Sequence, residues 1–286
     1  MFLDKHEKEK FSSMLPTNIN TKINENFDIL SIKKENFIPK IIYRTCAKKY
    51  IKDFEKSIEK TSQCMKNYKQ KIYFDDDIID FIKENYPEDV LYLYNKISKD
   101  YFPAKTDIFR YLLIYKLGGI YLDIKSAIVK DINRIIEENG DKLLVIKGRE
   151  KWKTKFIDNF FIEEKLSLNH NWSHFSGTPN GEYNNWFIAS PKGNPLLMEV
   201  ILQTLSNISN GLIHKNYIYG EISVLAMSGP LMYTRVILEH KDKDNYKIFE
   251  PRLNNKIVYK FVNHKKIMGK DHYRKKQNKN VLITSS

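Results

Sequence analysis

Two pairs of opposite charge stand inside a mainly apolar run. In PAKTDIFRYLLIYKLGGIYLDIK, Pro103 to Lys125, Asp107 and Arg110 are three residues apart and Asp123 and Lys125 are two apart. A charge among apolar neighbours is costly unless it is paired. The three-residue spacing sets Asp107 and Arg110 on one helix face. There Arg110 can hold a phosphate or brace Asp107 as an ion pair. Asp123 follows the short apolar run GIYL, which reads as a strand. Ligands of open α/β sheets bind beyond the carboxyl ends of strands. A carboxylate at such an end faces a ligand, and a hard cation bridging a diphosphate suits it. Singly, each residue has a plainer reading: Asp123 caps a turn, and Asp107 with Arg110 is a solvated pair. Together they point to a site.

The elements that must position these residues follow from periodicity and punctuation. FIPKIIYRT (37–45) reads as a first buried strand. A helix follows with Phe54, Ile58 and Cys64 or Met65 on its apolar side. QKIYFDDDIIDFIKENYP reads as strand, turn and helix, with the aspartates in the first helical turn and Pro87 at the end. EDVLYLYNKI is a short helix. The helix carrying Asp107 begins near Pro103, which suits a first turn. Its apolar positions 108, 111, 112 and 115 recur at helical spacing, and Gly118 is its C-cap. Gly118 and Gly119 permit a tight turn into the strand GIYLDI. Beyond it, DINRIIEENG and NPLLMEVILQTLSNIS read as helices, the second with an Asn cap. SGPLMYTRVILEH is a further helix. KLLVIKG, NNWFIASP, KIFEPRL and KIVYKFVNH read as strands. Strand and helix alternate, which predicts an α/β fold with parallel pairing. We expect a polar N-terminal extension, 1–36, and one catalytic domain, 37–286.

Composition narrows the class. The chain has 286 residues, 42% hydrophobic and 29% charged, which suits a globular domain with a sizeable core. Its net charge of +13 fits nucleic acid, an anionic membrane surface or a phosphorylated small molecule as partner. A solvated lysine-rich surface is the plainer account. The densest basic run is HKKIMGKDHYRKKQNK near the C-terminus. Cys46 and Cys64 have no metal-type spacing, and a reducing compartment is the default. MFLDKHEKEKF has no apolar signal core, and no apolar run reaches the ~18 residues of a membrane span. A cytoplasmic protein, at most peripheral to a membrane, is expected.

The stretch from Pro103 to Ile124 resembles the DXD-containing sugar transferases: yeast-type initiating mannosyltransferases, capsular polysaccharide transferases and large glucosylating toxins. Ala104, Asp107, Arg110, Tyr111, Tyr115, Gly118, Gly119, Tyr121 and Asp123 match the pattern A..SD..RY..LY..GGIYLD.D. IPKIIYRT, YFDDD, NNWFIASPKGNPLL and MSGPLM resemble outer segments in the same order. The resemblance implies a GT-A (Rossmann-like) fold with a mostly parallel central sheet flanked by helices. It implies a hexosyl or N-acetylhexosaminyl transferase that uses a UDP- or GDP-linked donor, retains anomeric configuration, and carries Mn²⁺ or Mg²⁺ on the diphosphate. The acceptor would be a glycan, a lipid-linked sugar or a protein, as in polysaccharide biosynthesis. Asp107 would bind the donor sugar hydroxyls, Arg110 would help hold sugar or phosphate, and Asp123 would sit against the ribose or the metal. Ile42, Tyr43, Ala104, Tyr111, Gly119 and Tyr121 would line the donor pocket. Asn185 would stand in the acceptor-side wall.

Lys125 departs from the pattern, which has a second carboxylate there. Three readings stay open. Asp123 holds a metal with a later ligand, His272 being the candidate. Alternatively the Lys125 ammonium replaces the cation, or the site binds nucleotide or glycan without turnover. The Asp-x-Asp in FDDD (74–77) reads as a helix cap rather than a metal motif. His170 and His174 are four apart, but in a loop-like context. Trp172 and Trp186 suit stacking on an acceptor sugar. A charge-driven nucleic-acid or membrane binder is the rival from composition alone. It lacks any nucleic-acid motif, and no nucleic-acid partner is expected.

Overall fold

The computed structural model describes residues 32–148, 182–214, 220–249, 255–263, 267 and 282–284. Strand β1 (Ile41–Thr45) leads through a 3-10 turn, Lys48–Phe54, into α1 (Glu55–Cys64). Then come β2 (Lys69–Tyr73), α2 (Asp75–Asn85), α3 (Glu88–Lys96), α4 (Phe102–Leu117) and β3 (Gly119–Leu122). The two-residue β4 (Ala127–Ile128) precedes α5 (Asn133–Glu138) and β5 (Leu143–Lys147). The later elements are β6 (Tyr183–Ser190), α6 (Pro195–His214), α7 (Gly220–Met227), α8 (Pro230–Glu239), β7 (Tyr246–Phe249) and β8 (Ile257–Val258). Residues 32–36 join this body: the Ile32 amide donates to the Tyr115 hydroxyl and the Glu35 amide to the Lys192 carbonyl.

Among the described residues six strands form one sheet in the order β2-β1-β3-β6-β5-β7. β1 is parallel to β2 and β3, and β5 to β7; β6 alone runs against its neighbours. The fold is therefore mixed α/β with a mostly parallel central sheet flanked by helices, as expected. Alternation along the central strands feeds two cores. Tyr43, Tyr121, Val145 and Ile188 point to one face, with α4, α6 and α8. Ile42, Ile120, Leu144 and Ala189 point to the other. Burial on both faces is why these strands read as continuous apolar runs.

Two local devices set the site. The aspartates after β2 cap α2: the Phe74 amide donates to Asp77 Oδ2 at 2.8 Å. At the other end of the Asp107 helix, Gly118 takes φ +67°, and a Cβ there would lie 2.8 Å from the Lys192 nitrogen. That left-handed, crowded position closes α4 and turns the chain straight into β3.

Several expectations are corrected. Phe54 and Met65, at the two ends of α1, are buried as expected, but the inward face between them is Ser57 and Thr61, both fully buried, while Ile58 and Cys64 are only half-buried. The reason is Arg44, whose guanidinium fills the space and donates to the Ser57 carbonyl and Thr61 Oγ1, while the Ser57 hydroxyl donates to the Phe54 and Ile124 carbonyls. KIVYKFVNH forms only the two paired residues of β8, antiparallel to β4. The short helix α7 carried no clear signal in the sequence. None of the described helices is long and apolar enough to cross a membrane.

Candidate active site

Helix α4 is buried along almost its whole length, from Ala104 to Tyr115. A helix buried all round must give each polar member a partner. Asp107 and Arg110 meet as the spacing predicts, Nη2 to Oδ1 at 3.3 Å. The same Nη2 lies 3.2 Å from Asp123 Oδ1, one residue past the carboxyl end of β3. Arg110 thus bridges two carboxylates. Its other nitrogens donate to the carbonyls of Asn185 and Thr106, and its plane lies 4.6 Å over the Tyr121 ring. The Tyr121 hydroxyl donates to Asp123 Oδ1 and pairs with the Thr45 hydroxyl.

Lys125 completes the cluster. Its ammonium stands 3.2 Å from Asp123 Oδ2 and 4.9 Å over the Tyr259 ring. Tyr259 in turn packs on Trp186, centroid to centroid 4.9 Å. The loop between Asp123 and Ser126 is held from beneath. Arg44 Nη1 donates to the carbonyls of Asp123, Ile124 and Ser126, at 3.3, 3.4 and 3.0 Å. Its Nη2 donates to Thr61 Oγ1 at 2.8 Å and its Nε to Gln70 Oε1 at 2.9 Å. Burial lowers the Arg44 pKa only to about 10, so the group stays charged at neutral pH.

The two carboxylates that share Arg110 differ. Burial opposes ionisation of Asp123, but Lys125 and Arg110 together hold its carboxyl below the ordinary value. Burial pushes Asp107 up to about 7 despite Arg110, and the nearby Asp123 charge adds to the rise. Asn185 Nδ2 donates to Asp107 Oδ1 at 3.0 Å, and the Ser228 hydroxyl to Oδ2 at 3.2 Å. Only Asp107 is therefore poised to exchange a proton near neutrality. Its folded-state pKa exceeds the unfolded one, so the folded chain holds a proton that the unfolded chain releases. Stability from this group is present at low pH and is lost as pH rises from about 4 to about 7. Urea unfolding should show it: from about pH 5 to about pH 8 the wild type should lose at least ~1 kcal/mol more than Asp107→Asn.

The site residues expected from the sequence that fall among the described residues have definite places. Asp107, Arg110, Asp123 and Lys125 converge. Asn185 joins them from β6, its amide donating to Asp107 and, at 2.7 Å, to the Tyr111 hydroxyl. Ile42, Tyr43, Ala104, Tyr111, Gly119 and Tyr121 are all buried. They support the site from the packed interior rather than line a donor surface. Gly119 matters for packing, since a Cβ would lie 3.0 Å from Ile41 and the Tyr43 ring. Trp186 is 7% exposed and forms a floor under Tyr259. Trp172, His170, His174 and His272 lie outside the described residues, as does nearly all of the basic C-terminal run. Arg44, Ser228, Thr45 and Tyr259 were not singled out from the sequence. Ser228 lies in MSGPLM and Arg44 and Thr45 in IPKIIYRT, segments the resemblance covers without singling them out; Tyr259 carried no signal beyond its type.

The cluster does not suit a divalent cation. Asp123 Oδ1 already faces Arg110 and Tyr121, and Oδ2 faces Lys125. A divalent ion seated there would meet each fixed cation at close range, where unit charges repel by ~4 kcal/mol at ~4 Å and an effective dielectric of ~20. Among the described residues no group of three or more His, Cys, Asp or Glu could hold a metal ion.

Comparison with known proteins falls on this same stretch. Residues 48–141 match the family described as "glycosyltransferase sugar-binding region containing DXD motif". The matched stretch, about a third of the chain, carries α4, β3 and the Asp123 loop. Over that stretch the chain is similar to DXD-type glycosyltransferase sugar-binding regions, and the stretch lies within the mixed α/β domain. Among relatives, the initiation-specific alpha-1,6-mannosyltransferase of Schizosaccharomyces pombe is 28% identical over 142 residues, covering 48% of this chain and 31% of that enzyme. The chain thus aligns with about a third of that relative's length. The solved structure of PaToxG glycosyltransferase overlays with a TM-score of 0.44 at 16% identity, covering 82% of this chain and 80% of that one.

Proposed function

We propose that the protein is a glycosyltransferase that moves a hexosyl or N-acetylhexosaminyl group from a UDP- or GDP-linked donor to a hydroxyl acceptor. One observation carries the reading: Asp107, Arg110 and Asp123, all inside the matched family region, meet at the carboxyl end of β3. Transfer breaks the bond from the sugar's C1 to the diphosphate oxygen, and the electron pair leaves with the diphosphate. The acceptor oxygen bonds to C1, and its proton passes to the departing diphosphate oxygen. Attack from the face the diphosphate leaves retains configuration, which is the course the resemblance favours. Catalysis then needs fixed positive charge at the leaving group and a held acceptor hydroxyl.

Asp123→Asn keeps the shape and removes the charge that orients Arg110 and Lys125. Release of nucleoside diphosphate from a panel of UDP- and GDP-linked sugars should fall by about a hundredfold or more. Near-UV circular dichroism should still report a folded protein. Wild-type turnover in this variant would reject the assignment. Lys125 at the motif's second position favours one rival, a relative that binds donor without turning it over. That protein would bind nucleotide sugar and release no diphosphate.

A further inference from the structure

We infer that Lys125 and Arg110 hold the donor's diphosphate directly, in place of a divalent metal ion. The inference rests on the glycosyltransferase reading and adds its cofactor requirement. The cluster has two carboxylates, Asp107 and Asp123, against two fixed cations, Arg110 and Lys125. With Asp107 partly protonated near neutrality, the two fixed cations match or exceed the carboxylate charge. The protein has thus supplied as side chains the positive charge an ion would bring. A diphosphate arriving at the carboxyl end of β3 would meet an ammonium and a guanidinium already in place.

The placement is built rather than incidental. The side chain of Lys125 is only 17% exposed, fixed between Asp123 Oδ2 and the Tyr259 ring. Its backbone carbonyl accepts the Val262 amide at 3.0 Å. Arg44 ties the carbonyls on either side of it, those of Ile124 and Ser126, from the interior. Arg110 is fixed by two carboxylates and two carbonyls. A lysine merely tolerated at the second motif position would extend into solvent. Preorganised cations need no reorganisation when negative charge arrives, and that is what a leaving diphosphate requires.

Calorimetric titration of the full chain with UDP and with GDP, once with Mn²⁺ or Mg²⁺ and once with EDTA, tests the inference. The expected result is binding of one nucleotide with affinities that agree within about twofold in the two buffers. Lys125→Met should weaken that binding about tenfold or more in both. Lys125→Asp restores the second carboxylate. It should bind nucleotide poorly in EDTA and recover with Mn²⁺, and should bind Mn²⁺ by paramagnetic resonance where the wild type does not. Wild-type binding that collapses on chelation, or an unchanged affinity in folded Lys125→Met, would overturn the inference and leave the glycosyltransferase reading standing. No binding of either nucleotide in either buffer would overturn both.

Discussion

Arg44→Met should lose ~3–5 kcal/mol of stability, in the range of the most damaging buried polar changes. Arg44 is completely buried, with carbonyl, hydroxyl and amide acceptors from three separate segments: α1, β2 and the Asp123–Ser126 loop that leads into β4. Methionine fills part of the volume but donates nothing. Each acceptor left bare in the interior costs ~1–3 kcal/mol. Some keep a second donor: the Asp123 carbonyl still accepts the Ser126 amide, and Thr61 Oγ1 still accepts the Ile128 amide. The total is therefore well short of the sum of full penalties. Arg44→Lys keeps the charge but not the planar fork, so it should fall between wild type and Arg44→Met. Urea unfolding measures the loss, and amide exchange at Ile124 and Ser126 tests its location. Faster exchange there, at a temperature where the variant is folded, would show that the loop carrying Asp123 and Lys125 depends on the brace. Stability within ~0.5 kcal/mol of wild type would reject it.

Arg44 also marks where the sequence stops being informative. IIYRT reads correctly as a buried strand, and β1 lies between two neighbours with a core on each face. Nothing local says that its arginine points into a core. The partners that make this tolerable lie up to 82 residues away. The same ignorance misplaces the inward face of α1, where Thr61 wins a place because its hydroxyl accepts from Arg44, and Ser57 because its hydroxyl donates to the Ile124 carbonyl of the Asp123 loop. Elements fixed by short-range rules were legible: the Asp77 cap of α2, the Asn194 cap of α6 and the Gly118 turn. So was the same-face pairing of Asp107 and Arg110, which needs only helical spacing. Strand direction was not. β6 runs against both neighbours, and alternating strands and helices give no cue for a reversal after residues 149–181. Asn185 and Ser228 meet Asp107 from 78 and 121 residues away, so only the family resemblance could flag them.

Arg110→Met should destabilise the protein by ~3–5 kcal/mol and abolish donor binding, because it strips a shared cation from two buried carboxylates. In the wild type Arg110 is held charged by Tyr121, Asp123 and Asp107 against the cost of its own burial. Without it, Asp123 keeps Lys125, 3.2 Å away, whereas Asp107 keeps only the Asn185 amide and the Ser228 hydroxyl. Asp107 is then pushed further toward its protonated form, so its share of the loss grows as pH rises, and a second change there should relieve it when stability is measured at about pH 8. Arg110→Met with Asp107→Asn should recover ~1–2 kcal/mol relative to Arg110→Met alone, a coupling a double-mutant cycle can measure. Recovery of stability should bring no recovery of nucleotide binding, since neither variant has the guanidinium that meets the diphosphate. Stability and binding would then separate cleanly: the first set by how the buried charges balance, the second by whether Arg110 and Lys125 are both present. Strictly additive losses would mean that Asp107 and Arg110 act independently, and that their 3.3 Å contact has no energetic consequence.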